Sequence, residues 1–248
     1  MRIVKASLWR IARERVYLAA IALSWALALV LAVLVPSGDA SAGTLAVISE
    51  NLPDYMGVFL LVSVPACSYV FGRGLQSRTV GGEICAGNSR SSVFTAHIAE
   101  FLVMVLFICL SSSVLACFGL LGSELGRFDG YACRVIALAC ACVAMASPAC
   151  LAIVLLRDVL RAVTASALVI FAELWSMALL VHPYISPSGN LVQGLPPQFL
   201  VHPAVALKMA VLPGATMGQM LLIVCSCIGA SAVVLLVAKA IWSRAELR

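Results

Sequence analysis

Long apolar runs alternate with short polar gaps along almost the whole chain. A helix rising about 1.5 Å per residue needs roughly 20 apolar residues to cross the hydrocarbon of a bilayer. Six runs meet that requirement: Val16–Val35, Tyr55–Gly72, Phe101–Leu121, Val135–Leu156, Ala162–Val181 and Met217–Ile241. Only Glu173 and Lys239 carry charge inside them. Short strands of alternating apolar and polar residues, the mark of a membrane barrel, are absent, so the pattern predicts an all-α membrane domain. Pro65 and Pro148 fall within the second and fourth runs and predict kinks there, because each removes a backbone donor.

Composition agrees with this pattern. Of 248 residues, 63% are apolar and 11% charged. Soluble domains are about 45–50% apolar and about 25% charged. A soluble fold of this size has nowhere to hide the surplus apolar surface, which excludes a cytosolic enzyme, a nucleic-acid binder and a disordered chain. The net charge of +5 does not change that, since the basic residues sit in the gaps between apolar runs.

Their distribution sets an expected orientation. Counted alternately across the six runs, 13 Lys and Arg residues fall on one side and 3 on the other. The positive-inside rule then puts both termini in the cytoplasm of a multi-pass protein of the cell (plasma or inner) membrane. Ala40-Ser41-Ala42 imitates a signal-peptide cleavage site, but the preceding apolar run is too long for a signal core.

Residues 1–15 form a separate unit. Val4, Leu8 and Ile11 share one helical face, while Arg2, Lys5, Arg10 and Arg13 point elsewhere. This predicts an amphipathic helix in the inner headgroup layer, with a basic topological anchor as the plainer reading. The outer gap 182–216 holds six of the ten prolines, yet Phe199–Leu212 is mostly apolar. It is too short to span and predicts a partly inserted outer segment before the sixth span.

Candidate chemistry is sparse. Nine of the ten cysteines lie in or beside apolar runs, where cysteine behaves as a small hydrophobe. Cys140-Ala-Cys142 and Cys225-Ser-Cys227 have no histidine or acid beside them, so no metal site is expected. His97 and Glu100 occur as His-Ile-Ala-Glu, without the second histidine of a zinc protease motif. Gly229-Ala-Ser231 reads as helix packing rather than a nucleophile. No phosphate-binding loop occurs, so no catalytic residue and no cofactor is expected on this chain, and any nucleotide is hydrolysed elsewhere. Glu173 is the costly residue, because an acid near a helix centre costs about 2.5–3.5 kcal/mol on insertion scales. It reads either as a pathway or interface residue or as a structural hydrogen-bonder, for example to Ser111, Ser112 or Ser113.

The gap from Arg73 to Glu100 carries the most information. Gly81-Gly82 and Gly87-Asn88 bracket a predicted short helix around Glu83–Ala86, and Ser89 is placed to cap the helix that enters the third span. The segment Arg78-Thr79-Val80, then Gly87-Asn88-Ser89-Arg90, then Val93-Phe94 resembles the loop between the second and third helices of ABC-2-type transporter permeases. The whole chain is similar to that family's plan as well, with an interface helix, six spans and a partly inserted outer segment.

The resemblance implies the permease subunit of an ATP-binding-cassette transporter, an exporter by analogy with the family. It implies a separate ATPase partner that carries ATP, and a second permease copy or a related permease, with no nucleic acid. Arg78, Thr79, Glu83, Gly87, Ser89 and Arg90 are then ATPase-coupling residues of a cytoplasmic coupling helix. The alternative is a non-transporting binding or immunity protein on the same scaffold.

Overall fold

The computed structural model describes residues 13–34, 44–76, 83–118, 131–156, 158–181, 202–211 and 217–244. Among them there are helices and turns and no strand. The long helices are α1 (Arg15–Leu34), α2 (Thr44–Gln76), α3 (Arg90–Phe118), α4 (Tyr131–Leu156), α5 (Val159–Val181) and α7 (Met217–Arg244). A nine-residue helix, α6 (Pro203–Val211), lies between α5 and α7 in the chain. Five helices, α2 to α5 and α7, are long and apolar enough to cross a membrane, and α1 adds the apolar stretch Arg15–Leu31. The protein is therefore an all-helical, multi-pass membrane protein.

Each apolar run lies within a helix over most of its length, but the helices exceed the runs. α2 begins at Thr44 rather than near Tyr55, and α3 begins at Arg90 rather than near Phe101. An apolar run measures the thickness of lipid, whereas a helix continues until its backbone is capped or broken. With 33 residues, α2 extends about 50 Å, well beyond a hydrocarbon core of about 30 Å. The gap between the first two apolar runs is thus helical from Thr44 onward. The prolines do not end their helices. In α4 the carbonyl of Ala144 loses its helical donor at Pro148, and Ser147 Oγ donates to it at 3.0 Å.

α4 is the centre of the bundle and packs on α2, α3, α5, α6 and α7. Its buried side is made largely of small residues, including Ala137, Ala141, Cys142, Ala146, Ala149 and Cys150. Small side chains let neighbouring backbones come close, which is how helices gain contact where lipid already solvates apolar surface. α7 meets α4 along one stripe of Met220, Ile223, Cys227, Ser231 and Ala238. Its other faces leave Leu221, Ile228, Val233 and Leu236 exposed. α5 is similar, with Leu160, Leu168, Phe171, Trp175 and Leu179 outward. These outward apolar faces suit lipid. α2 approaches α5 closely at Gly57, where a Cβ would lie 2.7 Å from Leu174 Cδ2.

The predicted amphipathic helix over residues 1–15 lies almost entirely outside the described residues. Within the segment 182–216, residues 202–211 are described. There α6 is enclosed by α2, α4, α5 and α7, with Ala204 to Leu207 wholly buried.

Candidate functional site

Among the described residues, two polar clusters interrupt the apolar bundle. The first is built where α2 ends and α3 begins. Glu83–Cys85 form a single helical turn, and Ala86-Gly87 reverse the chain. Gly87 has φ +91°, a left-handed conformation that L side chains resist and glycine accepts. Gly87 N–H donates to Ile84 O at 3.0 Å, and Asn88 Nδ2 donates to Glu83 O at 2.9 Å, so the turn is stapled internally. The chain then enters α3 through a cap: Ser92 N–H donates to Ser89 Oγ at 3.1 Å. That hydroxyl satisfies one of the backbone donors a helix start leaves open.

The turn is also fastened sideways. His97, two turns into α3, is 2% exposed. Its Nε2 lies 3.3 Å from Glu83 Oε2, and its Nδ1 lies 3.3 Å from Glu100 Oε2. Each ring nitrogen thus lies within hydrogen-bond distance of a carboxylate oxygen, one on the turn and one on α3 itself. Below this cluster the aromatic rings of three helices meet. Phe71 of α2 contacts Phe94 and Phe101 of α3, and Phe94 stacks on Trp242 of α7 at 5.3 Å between ring centroids. At the same end Arg73 of α2 pairs with Glu14, just before α1, at 3.3 Å. The turn is thereby joined to α3 by polar contacts, α3 to α2 by tilted rings, and α3 to α7 by a stacked pair.

The second cluster surrounds Glu173. Val159 touches Gly72 near the end of α2, which places Glu173 about 21 Å along α5 from the turn's end of the bundle. Its partner is His202, at the entrance to α6, with Nε2 3.5 Å from Glu173 Oε2. Ser176 lies 3.4 Å from the same ring nitrogen and donates to Glu173 O at 2.7 Å. Nearer the end of α6, Lys208 pairs with Asp54 of α2 at 3.9 Å. The structural expectation for Glu173 therefore needs correcting, because Ser111–Ser113 are not its partners. Ser111 accepts from Trp25 Nε1 at 2.9 Å, and Ser113 donates to Cys109 O at 2.7 Å and to Met56 Sδ. His202, 29 residues away in sequence and just before α6, stands beside Glu173 instead, although Glu173 Oε2 has no hydrogen-bond partner among the described residues.

Of the residues singled out from sequence, Glu83, Gly87, Ser89 and Arg90 come together in one turn, with Ser89 and Arg90 exposed. Arg78 and Thr79 lie outside the described residues. Glu173 sits apart from them, in the second cluster. Ser231 donates to Cys227 O at 2.7 Å, within its own helix. Among the described residues no group of three or more His, Cys, Asp or Glu side chains is arranged to hold a metal ion. Sequence reasoning missed His97, Glu100 and His202. The i,i+3 spacing of His97 and Glu100 was visible, but their meeting with Glu83 depends on how the turn folds back. Compared with models of known families and with curated proteins, the chain matches none.

Proposed function

We propose that this chain is the permease subunit of an ABC-2-type ATP-driven transporter. It crosses the membrane six times with both termini inside, and works as a dimer with a second copy or a related chain. The turn Glu83–Arg90 docks into a cleft of a separate ATPase subunit, and ATP is hydrolysed there. Transport is directed outward by analogy with the family whose loop it resembles. ATP binding changes the ATPase, and the ATPase then favours one conformation of the bundle over the other.

The observation that supports this reading is the turn at the start of α3. It is short and internally stapled, it exposes Ser89 and Arg90, and it is fastened to a helix long enough to span the membrane. Such an element can receive a push and pass it on. A solvated loop needs none of these fastenings. The guanidinium of Arg90 offers several fixed donors to carboxylates or carbonyls of a partner.

The test is affinity purification of the tagged full chain from its native membrane, wild type against Arg90→Glu. The wild type should retain a subunit bearing a phosphate-binding loop, and Arg90→Glu should retain about tenfold less while inserting normally, as expected when a buried charge contact turns repulsive. Equal retention by the two proteins would remove this turn from the docking role. Isolation of the chain without any ATPase would favour the non-transporting scaffold instead.

A further inference from the structure

We infer that His97 is a positioning residue that locks the Glu83–Cys85 turn to α3, so that the turn and the helix move as one body. The inference deepens the proposed coupling role and rests on it for its functional meaning, but the lock itself is a property of this chain.

A loop helix of a single turn has no stability of its own, because nucleation fixes several residues for very few bonds. The staples inside the turn, Gly87 to Ile84 and Asn88 to Glu83, preserve its shape but do not fix its position. The chain joins α3 through the exposed Ser89. A turn held only by that junction would swing as a hinge. The Glu83 carboxylate prevents this by reaching the imidazole of His97, 14 residues further on.

His97 suits the task because its ring has two nitrogens on opposite edges. One meets Glu83, and the other meets Glu100 on the same helix. Glu100 thus fixes the ring's orientation, as a carboxylate does for a histidine that must present its other nitrogen in one direction. The ring side chain is 3% exposed and that of Glu100 8%, so water competes little for the contact between them, while Glu83 on the turn is 22% exposed. Neither glutamine nor asparagine could replace it in this geometry, since a short amide cannot reach two carboxylates on opposite sides. The charged groups at this end of the helices packed on α3 include Arg13, Glu14 and Arg15 at α1, Arg73 of α2, and Lys239 and Arg244 of α7, with Arg90 on α3 itself. Arg73 and Glu14 pair with each other.

The aromatic contacts give the lock a direction. His97 and Phe94 lie one helical turn apart on α3, and Phe94 stacks on Trp242 of α7. A displacement of Glu83 is passed through His97 to the first turns of α3 and from there to the end of α7.

Amide hydrogen exchange on the full chain in lipid nanodiscs tests the lock without any partner. Four proteins are compared: wild type, Glu83→Gln, Glu83→Ala and His97→Gln. Glutamine at 83 still accepts a hydrogen bond from the ring, whereas alanine does not. Exchange across residues 83–89 should stay near wild type in Glu83→Gln. It should accelerate about tenfold or more in Glu83→Ala and His97→Gln, the factor expected when a hydrogen bond to a charged group is lost. The middle of α3 serves as an internal reference and should not change in Glu83→Ala, whose side chain is outside the bundle core. Unchanged exchange at 83–89 in Glu83→Ala overturns the lock, as does equal acceleration in Glu83→Gln and Glu83→Ala. Retention of the ATPase is measured on the same preparations. Failure of that measurement alone would count against the transporter reading and leave the lock standing.

Discussion

Glu173 and His202 should be energetically coupled, and a double-mutant cycle measures by how much. Glu173 is the one charged residue of the apolar run Ala162–Val181, and His202 Nε2 stands 3.5 Å from it, with the Glu173 and His202 side chains 21% and 31% exposed. At that separation two full charges would interact by about 1 kcal/mol in water and several times more in a medium of lower dielectric. Water reaches the pair in part, so the higher figures do not apply. Polar contacts between helices of membrane bundles average about 0.6 kcal/mol and reach about 1.7 kcal/mol. The acid has no other ion partner among the described residues, which puts the expectation in the upper half of that range, about 1–1.7 kcal/mol. For a chain of this size each kcal/mol shifts the melting temperature by roughly 2–4 °C. The assay is reversible unfolding in mixed micelles of wild type, Glu173→Gln, His202→Gln and the double variant. Ser176 also contacts His202, so the single His202 variant loses two contacts, and only the cycle isolates the pair. Additivity within about 0.3 kcal/mol would refute the pairing. If the pair also serves transport, Glu173→Gln should insert and assemble yet alter the transport rate.

Two further outcomes follow from other parts of the molecule. Gly87→Ala has open space around the new methyl, but its φ of +91° remains strained for an L residue, so the turn should lose about 1–2 kcal/mol of local stability. Faster amide exchange at residues 83–89 with unchanged insertion is the expected result, and no change would show that the turn relaxes freely. In a background without native cysteines, single cysteines at Asp39 and Ser188 should react with an impermeant thiol reagent applied to intact cells, and one at Ser77 should not. Labelling at Ser77 would reverse the proposed orientation.

The apolar runs made the membrane helices legible, because lipid imposes a length and a composition that sequence states directly. Helix ends were harder. Thr44 to Asp54 is polar enough to read as a loop, yet polar residues do not break a helix that emerges into water, and α2 continues through them. Ser89 could be placed from sequence because a cap needs only its own helix start. The partners of Glu83 and Glu173 could not. His97 reaches Glu83 only after the chain reverses at Gly87, and His202 reaches Glu173 only because α6 packs back between helices. Both contacts depend on tertiary placement, which a one-dimensional pattern of polarity does not encode. The serines offered as partners of Glu173 illustrate the same gap, since hydroxyls in apolar helices commonly bond to carbonyls in their own helix.

The most direct test of the proposed function is ATP hydrolysis by this chain with and without the proposed ATPase subunit in proteoliposomes. The purified chain alone should hydrolyse no ATP. The complex should hydrolyse it in step with transport, and Arg90→Glu should lower that coupling at unchanged chain content of the membrane. Hydrolysis by the chain alone, or coupled transport unaffected by Arg90→Glu, would contradict the account.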